Sequence, residues 1–120
     1  MPTRWIVDGM NVIGSRPDGW WRDREGAIRR LVDDIRAWAD EDVTVVLDHG
    51  PQDLIGTVGR VTVLRAPRRG RDAADDEIAR LAGPGDFVVT SDTALADRVR
   101  ARGASVEGAG AFRRQLASEP

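Results

Sequence analysis

The stretch VDGMN, residues Val7 to Asn11, decides how this sequence is read. An apolar run that begins at Trp5 ends in Asp8, a glycine follows, and Asn11 stands three residues beyond the aspartate. One aspartate at the tip of a strand is ordinary turn or capping chemistry. Here it has company. The run VTVVL from Val43 ends in Asp48, and the run FVV from Phe87 reaches Asp92 through VVTSD. A further run, VTVL from Val61, and a weaker one around Val106 complete the set of candidate strands. Short, continuous, valine-rich runs suit parallel strands covered on both faces.

Helical patterns lie between these runs. Ile28, Leu31, Val32, Ile35, Trp38 and Ala39 form one apolar stripe on a helix from about Asp23 to Ala39. Ala74, Ile78, Leu81 and Ala82 outline a second helix closed by GPGD, while Leu95 with Val99 and Phe112 with Leu116 mark two shorter ones. Alternating strands and helices predict a parallel α/β sheet with right-handed crossovers. The link from Leu47 to Val61 is barely long enough for a crossover and holds either a short helix or a loop.

In an open parallel sheet the ligand crevice lies outside the carboxyl ends of the strands. Three of the four strong strands deliver an aspartate to that edge: Asp8, Asp48 and Asp92. The stretch GRDAADDEI adds Asp72, Asp75 and Asp76 on one face at the start of the second helix. Acids in a first helical turn are also ordinary dipole chemistry, but the third strand brings this helix to the same edge. Clustered carboxylates repel one another unless a cation neutralises them. With no cysteine and a single histidine, His49, the available oxygen ligands select hard ions, Mg²⁺ or Mn²⁺. One or two such ions suit phosphoryl chemistry, in which one activates water and another steadies the leaving oxygen. Asn11 is placed to hold a metal-bound water or to orient the turn.

Composition sets the outer limits. At 120 residues the chain is expected to form one domain, residues 1–120. The absence of cysteine excludes disulfides and thiolate metal sites. No apolar run resembles a membrane span and the N-terminus lacks a signal-peptide core, so a cytoplasmic protein without membrane partners is expected. The net charge is −2 and the pI near 5.4, which argues against a generic basic nucleic-acid coat. All 18 basic residues are arginine, which excludes Schiff-base lysine chemistry and a Walker-type phosphate loop. Most of these arginines are expected on the solvated surface.

Taken in order, VDGMNVIG, VVLD, DAADDEI and VVTSD resemble the NYN domain, a branch of the PIN-like nucleases, and most of all its bacterial PIN-domain RNA-binding subgroup. The resemblance covers nearly the whole chain, and the aspartate-glycine-x-asparagine signature is its most specific part. It implies a three-layer α/β fold with a mainly parallel sheet ordered 3-2-1-4-5 and flanked by helices. Asp8 and Asp92 would then face each other across the switch point, with Asp48 beside Asp8. Carried over by position, Asp8, Asp75 and Asp92 are the metal carboxylates, Asp48 joins them as a catalytic and metal acid, and Asn11 supports them. Asp76 competes with Asp75 as ligand, because the local alignment can slip by one. The chain departs from the pattern at Ala94, where many family members carry a second acid; Asp97, further along that helix, reads as surface.

Other residues have weaker claims. SRPDGWWRDR, residues 15–24, sets two tryptophans among arginines. One tryptophan is expected in the core and the other on the surface, with Trp20 a candidate platform for RNA bases and Arg16 for a phosphate. RAPRRGRD, residues 65–72, is a basic loop in which Arg68, Arg69 and Arg71 are either RNA-binding or simply solvated. His49 reads as a bystander in its turn. The leading expectation is a metal-dependent endoribonuclease acting on single-stranded or structured RNA, and a homo-oligomer is compatible with it. A nucleotide phosphohydrolase using the same carboxylates, and an inactive RNA- or protein-binding module, are the alternatives.

Overall fold

The computed structural model of the protein describes residues 3–67, 70 and 72–118. The strands are β1 (Arg4–Asp8), β2 (Asp42–Leu47), β3 (Gly56–Val58), β4 (Val61–Arg65), β5 (Asp86–Val89) and β6 (Ser105–Glu107). The helices are α1 (Gly9–Gly14), α2 (Arg24–Trp38), α3 (Ala73–Leu81), α4 (Thr93–Arg100) and α5 (Ala109–Ala117). The sheet runs β3-β4-β2-β1-β5-β6. All pairings are parallel except β3 with β4. Without β3, this is the expected 3-2-1-4-5 order.

The period of two along each strand sorts side chains to opposite faces. Val7, Val43, Val45, Leu47, Val61, Val63 and Val89 pack with Val12 and Ile13 of α1, the α2 stripe and Phe112 of α5. Ile6, Val46 and Val88 face the other way, onto Ile78 of α3 and Leu95 and Val99 of α4. The sheet thus lies between two helical layers. At its amino edge Arg4 grips the Asp86 carboxylate through two nitrogens, at 2.9 and 3.2 Å, and locks β1 beside β5.

Two elements differ from the sequence reading. The link from β2 to β4, expected to hold a short helix or a loop, holds an additional strand. It makes a 3₁₀ turn at Gln52–Leu54, then forms β3, which folds back on β4 through a two-residue turn with Gly59 at φ +61°. A glycine with positive φ as first turn residue matches the twist of a hairpin. The second difference is at VDGMN itself: after Asp8 the chain enters a short helix, α1, instead of a plain turn. Gly9 makes this possible. A Cβ there would lie 2.6 Å from Leu47 Cδ2 and 3.3 Å from the Val46 carbonyl oxygen, so glycine lets α1 begin directly against β2 without displacing Leu47.

Candidate carboxylate site at the switch point

β1 lies between β2 and β5, and the chain order reverses between β1 and β5. Asp8 closes β1 at this point and is only 5% exposed. Its Oδ2 accepts a 3.0 Å hydrogen bond from Thr90 Oγ1, and the Asn11 backbone also supports the carboxylate. These bonds do not offset what burial does. Desolvation first, then the charges of Asp75 and Asp92, push the Asp8 carboxyl up to about 7.

Thr90, 2% exposed, connects two acids. While its hydroxyl donates to Asp8, the same oxygen accepts the Asp92 backbone N–H at 3.1 Å. Asp92 caps α4, its Oδ1 accepting the Leu95 N–H at 3.1 Å. Asn11 reaches across from α1, its Oδ1 accepting the Ser91 N–H at 2.8 Å. Ser91 Oγ in turn accepts the Ala109 N–H at the start of α5. The loop after β5 is therefore tied to β1, α1 and α5.

Asp75 comes from the first turn of α3. Burial raises its carboxyl above the usual range, with Asp92 and Asp72 adding to the rise and Arg98 opposing it. Asp8, Asp75 and Asp92, from three different elements, thus feel one another's charge. Asp76 is turned towards α4, where Arg98 Nη1 donates to it at 2.9 Å. Asp72 occupies the N-cap position of α3 without a side-chain capping bond.

Asp48 stands at the same edge but in other surroundings. It lines a cleft of about 740 Å³ with His49, Ile55, Leu64 and Arg65, and its Oδ1 accepts the His49 backbone N–H at 2.8 Å. The exposed His49 ring lies 3.9 Å from that carboxylate. Among the described residues no three acidic or histidine side chains converge closely enough to form a ligand cage. Ala94 is exposed, and Asp97 is a surface residue near Arg100, at 3.9 Å.

Of the adjacent tryptophans, Trp20 packs partly against the core while Trp21 is 49% exposed, the division that the sequence led us to expect. Arg16 is exposed. Arg68, Arg69 and Arg71 lie outside the described residues. Sequence reasoning passed over Thr90, Ser91 and Arg98. The signal for the first two was available: hydroxyl residues between a buried valine run and a capping aspartate at the switch point. No helix among the described residues is long and apolar enough to cross a membrane.

Comparison with known proteins places this architecture. The model of a family described as "Uncharacterized BCR, YaiI/YqxD family" (DUF188) matches residues 30–110. The chain is 68% identical over 37 residues to a UPF0178 protein of Rhodopseudomonas palustris, covering 31% of this chain and 24% of that one. It is 41% identical over 75 residues to a UPF0178 protein of Caulobacter vibrioides, covering 56% of this chain and 49% of that one. These matches span about half or less of each curated relative. The crystal structure of Rae1 (YacP) from Bacillus subtilis, in a point-mutant form, aligns with a TM-score of 0.72 over 97% of this chain and 76% of that chain, at 23% identity. A second Rae1 structure aligns with a TM-score of 0.67 over 95% and 73%, also at 23% identity. At such identity the likeness establishes the fold, a PIN-like sheet between two helical layers.

Proposed function

We propose that this chain, which belongs to the YaiI/YqxD (DUF188) family, is a divalent-metal-dependent ribonuclease of the NYN type acting on RNA phosphodiester bonds. One observation carries the reading. Asp8 is buried at the switch point, and its carboxyl is pushed up to about 7 by burial and by Asp75 and Asp92. Three mutually repelling acids, held in place by Thr90 and a helix cap, store a repulsion that a cation would relieve.

The donor set consists of carboxylate oxygens, which fits Mg²⁺ or Mn²⁺. Asp8, Asp75 and Asp92 would hold the ion, with Asp48 and Asp76 at the margins. When bound, the metal would lower the pKa of a water and stabilise charge on phosphate oxygens. The chain's own residues supply the positioning. Thr90 orients the Asp8 carboxylate, Asn11 holds the Ser91 loop, and the cap at Leu95 fixes Asp92. Arg98, beside Asp75 and Asp76, offers a cation near the same edge.

The test is cleavage of a labelled single-stranded RNA with Mn²⁺, Mg²⁺ or EDTA, by wild type and Asp92→Asn. Metal-dependent cutting that is lost in the variant supports the reading. Failure of folded, metal-loaded wild type to cut any RNA would sink it, and release of phosphate from mononucleotides in its place would favour a nucleotide phosphohydrolase.

A further inference from the structure

A cavity of about 340 Å³ opens beside α1, α2 and α5, and its charged lining comprises Arg16, Asp18, Arg30, Asp34 and Arg113. Trp20 forms an aromatic part of the wall, and Ile13, Leu31 and Leu116 supply apolar surface. The volume is that of a small-ligand site. Arg113 is the built part. Its guanidinium donates to the carbonyl oxygens of Val12 and Ile13, at 2.8 and 3.0 Å, and to Ser15 Oγ at 3.0 Å. These bonds satisfy carbonyls at the end of α1 and hold the positive charge in place.

That charge has no matching carboxylate within ion-pair distance among the described residues, and neither has Arg16 or Arg30. Burial, and then the neighbouring positive charge of Arg16, hold the Arg113 pKa below its ordinary value, with Asp18 and Asp34 acting in the other direction. Guanidinium groups that repel one another across a cavity form a site that an anion relieves. Their planar forks suit phosphate oxygens.

The rest of the lining discriminates among anions. Asp18 and Asp34 disfavour a bare inorganic ion but accept hydrogen bonds from ribose hydroxyls or base amino groups. Asp18 is already placed by the Trp20 backbone N–H, which donates to it at 3.2 Å. Trp20 carries the Arg24 guanidinium over its ring at 5.2 Å and, as part of the cavity wall, offers its remaining ring surface to a base. We propose that this cavity binds one nucleotide unit, its phosphate on Arg16, Arg30 and Arg113 and its base against Trp20. The polymer as source rests on the nuclease reading above. α1 leads from Asp8 to the cavity, and six helical residues span about 9 Å. A strand passing the acids would therefore place a neighbouring nucleotide here.

The test is binding in EDTA, so that nothing is cut. A short labelled oligoribonucleotide is titrated by fluorescence anisotropy, with AMP and inorganic phosphate as competitors. The proteins are wild type, the Arg16→Ala/Arg30→Ala double variant, and Arg100→Ala as a surface control. Arg113 is spared because it holds α1. We expect the double variant to lose about tenfold or more in affinity, while Arg100→Ala binds as wild type. AMP should compete at lower concentration than phosphate. Unchanged affinity in a double variant with wild-type circular dichroism and melting would overturn the site. Phosphate competing as well as AMP would overturn nucleotide recognition. Binding of AMP alone, lost in the double variant, would keep the site and assign it to free nucleotide. Variant-sensitive oligonucleotide binding in a protein that never cuts RNA would uphold the cavity while the nuclease reading fails.

Discussion

Asp8 and Thr90, 82 positions apart in the chain, are joined by a 3.0 Å hydrogen bond between two buried side chains. The bond crosses the point where the sheet reverses its order, and the same hydroxyl also receives the Asp92 N–H. One small polar side chain thus sets the orientation of a buried acid and the start of the helix that a second acid caps.

Thr90→Val keeps the shape and removes both bonds. The lost partners leave Asp8 and the Asp92 amide less satisfied, which costs about 1–3 kcal/mol. Denaturant unfolding should show that loss, and Thr90→Ser should recover most of it. Equal stability of all three proteins would show that the hydroxyl is not holding the site.

The Asp8 carboxyl titrates near 7 in the folded protein against 3.8 for the unperturbed group. Between these values the native state keeps a proton that the unfolded chain has released. Stability from this group is therefore complete below about pH 4 and is lost as pH rises through about 7. At most about 4 kcal/mol is involved. In EDTA, wild type should weaken from about pH 4 to 7 relative to Asp8→Asn, which lacks this titration. Parallel pH profiles for the two proteins would contradict it. Added Mg²⁺ should narrow the gap at the high-pH end.

Asp92 has two duties that substitution can separate. Asparagine is as good an N-cap as aspartate, so Asp92→Asn should melt close to wild type, whereas Asp92→Ala should lose about 1 kcal/mol. Both should lose RNA cleavage. An active Asp92→Asn would remove the carboxylate from the proposed chemistry.

Asp48 lies in a cleft apart from the acids that act on Asp8. Asp48→Asn should therefore slow RNA cleavage less than Asp75→Asn or Asp92→Asn, measured side by side at saturating metal. An equal or larger loss would place Asp48 within the central set.

Gly9→Ala puts a methyl group 2.6 Å from Leu47 Cδ2 in a fully buried environment. Overpacking of this kind costs about 1–3 kcal/mol, which thermal unfolding would report. A neutral change would mean that Leu47 yields freely.

Much of the scaffold was legible because short valine runs and the 3.6-residue stripe of α2 carry their burial in local pattern. Asp23 and Ala39 bound α2 as the stripe implied. The β3–β4 hairpin escaped because the residues before Gly59–Arg60 are short and exposed, with Val58 57% exposed. Hairpin pairing there depends on β4 being an edge. α1 escaped because six residues hold too few apolar positions to show a period, and its start relies on space that only the packed β2 defines.

By itself the sequence determined which strands end in acids and that helices would alternate with a parallel sheet. Periodicity and composition are local properties and can be read along the chain. The tertiary structure alone decided which acids meet. Asp8, Asp75 and Asp92 share an electrostatic field while Asp48 lines a cleft with His49 and Asp76 turns to Arg98. That sorting depends on distance and desolvation between segments far apart in the chain, and these exist only once the two helical layers close over the sheet.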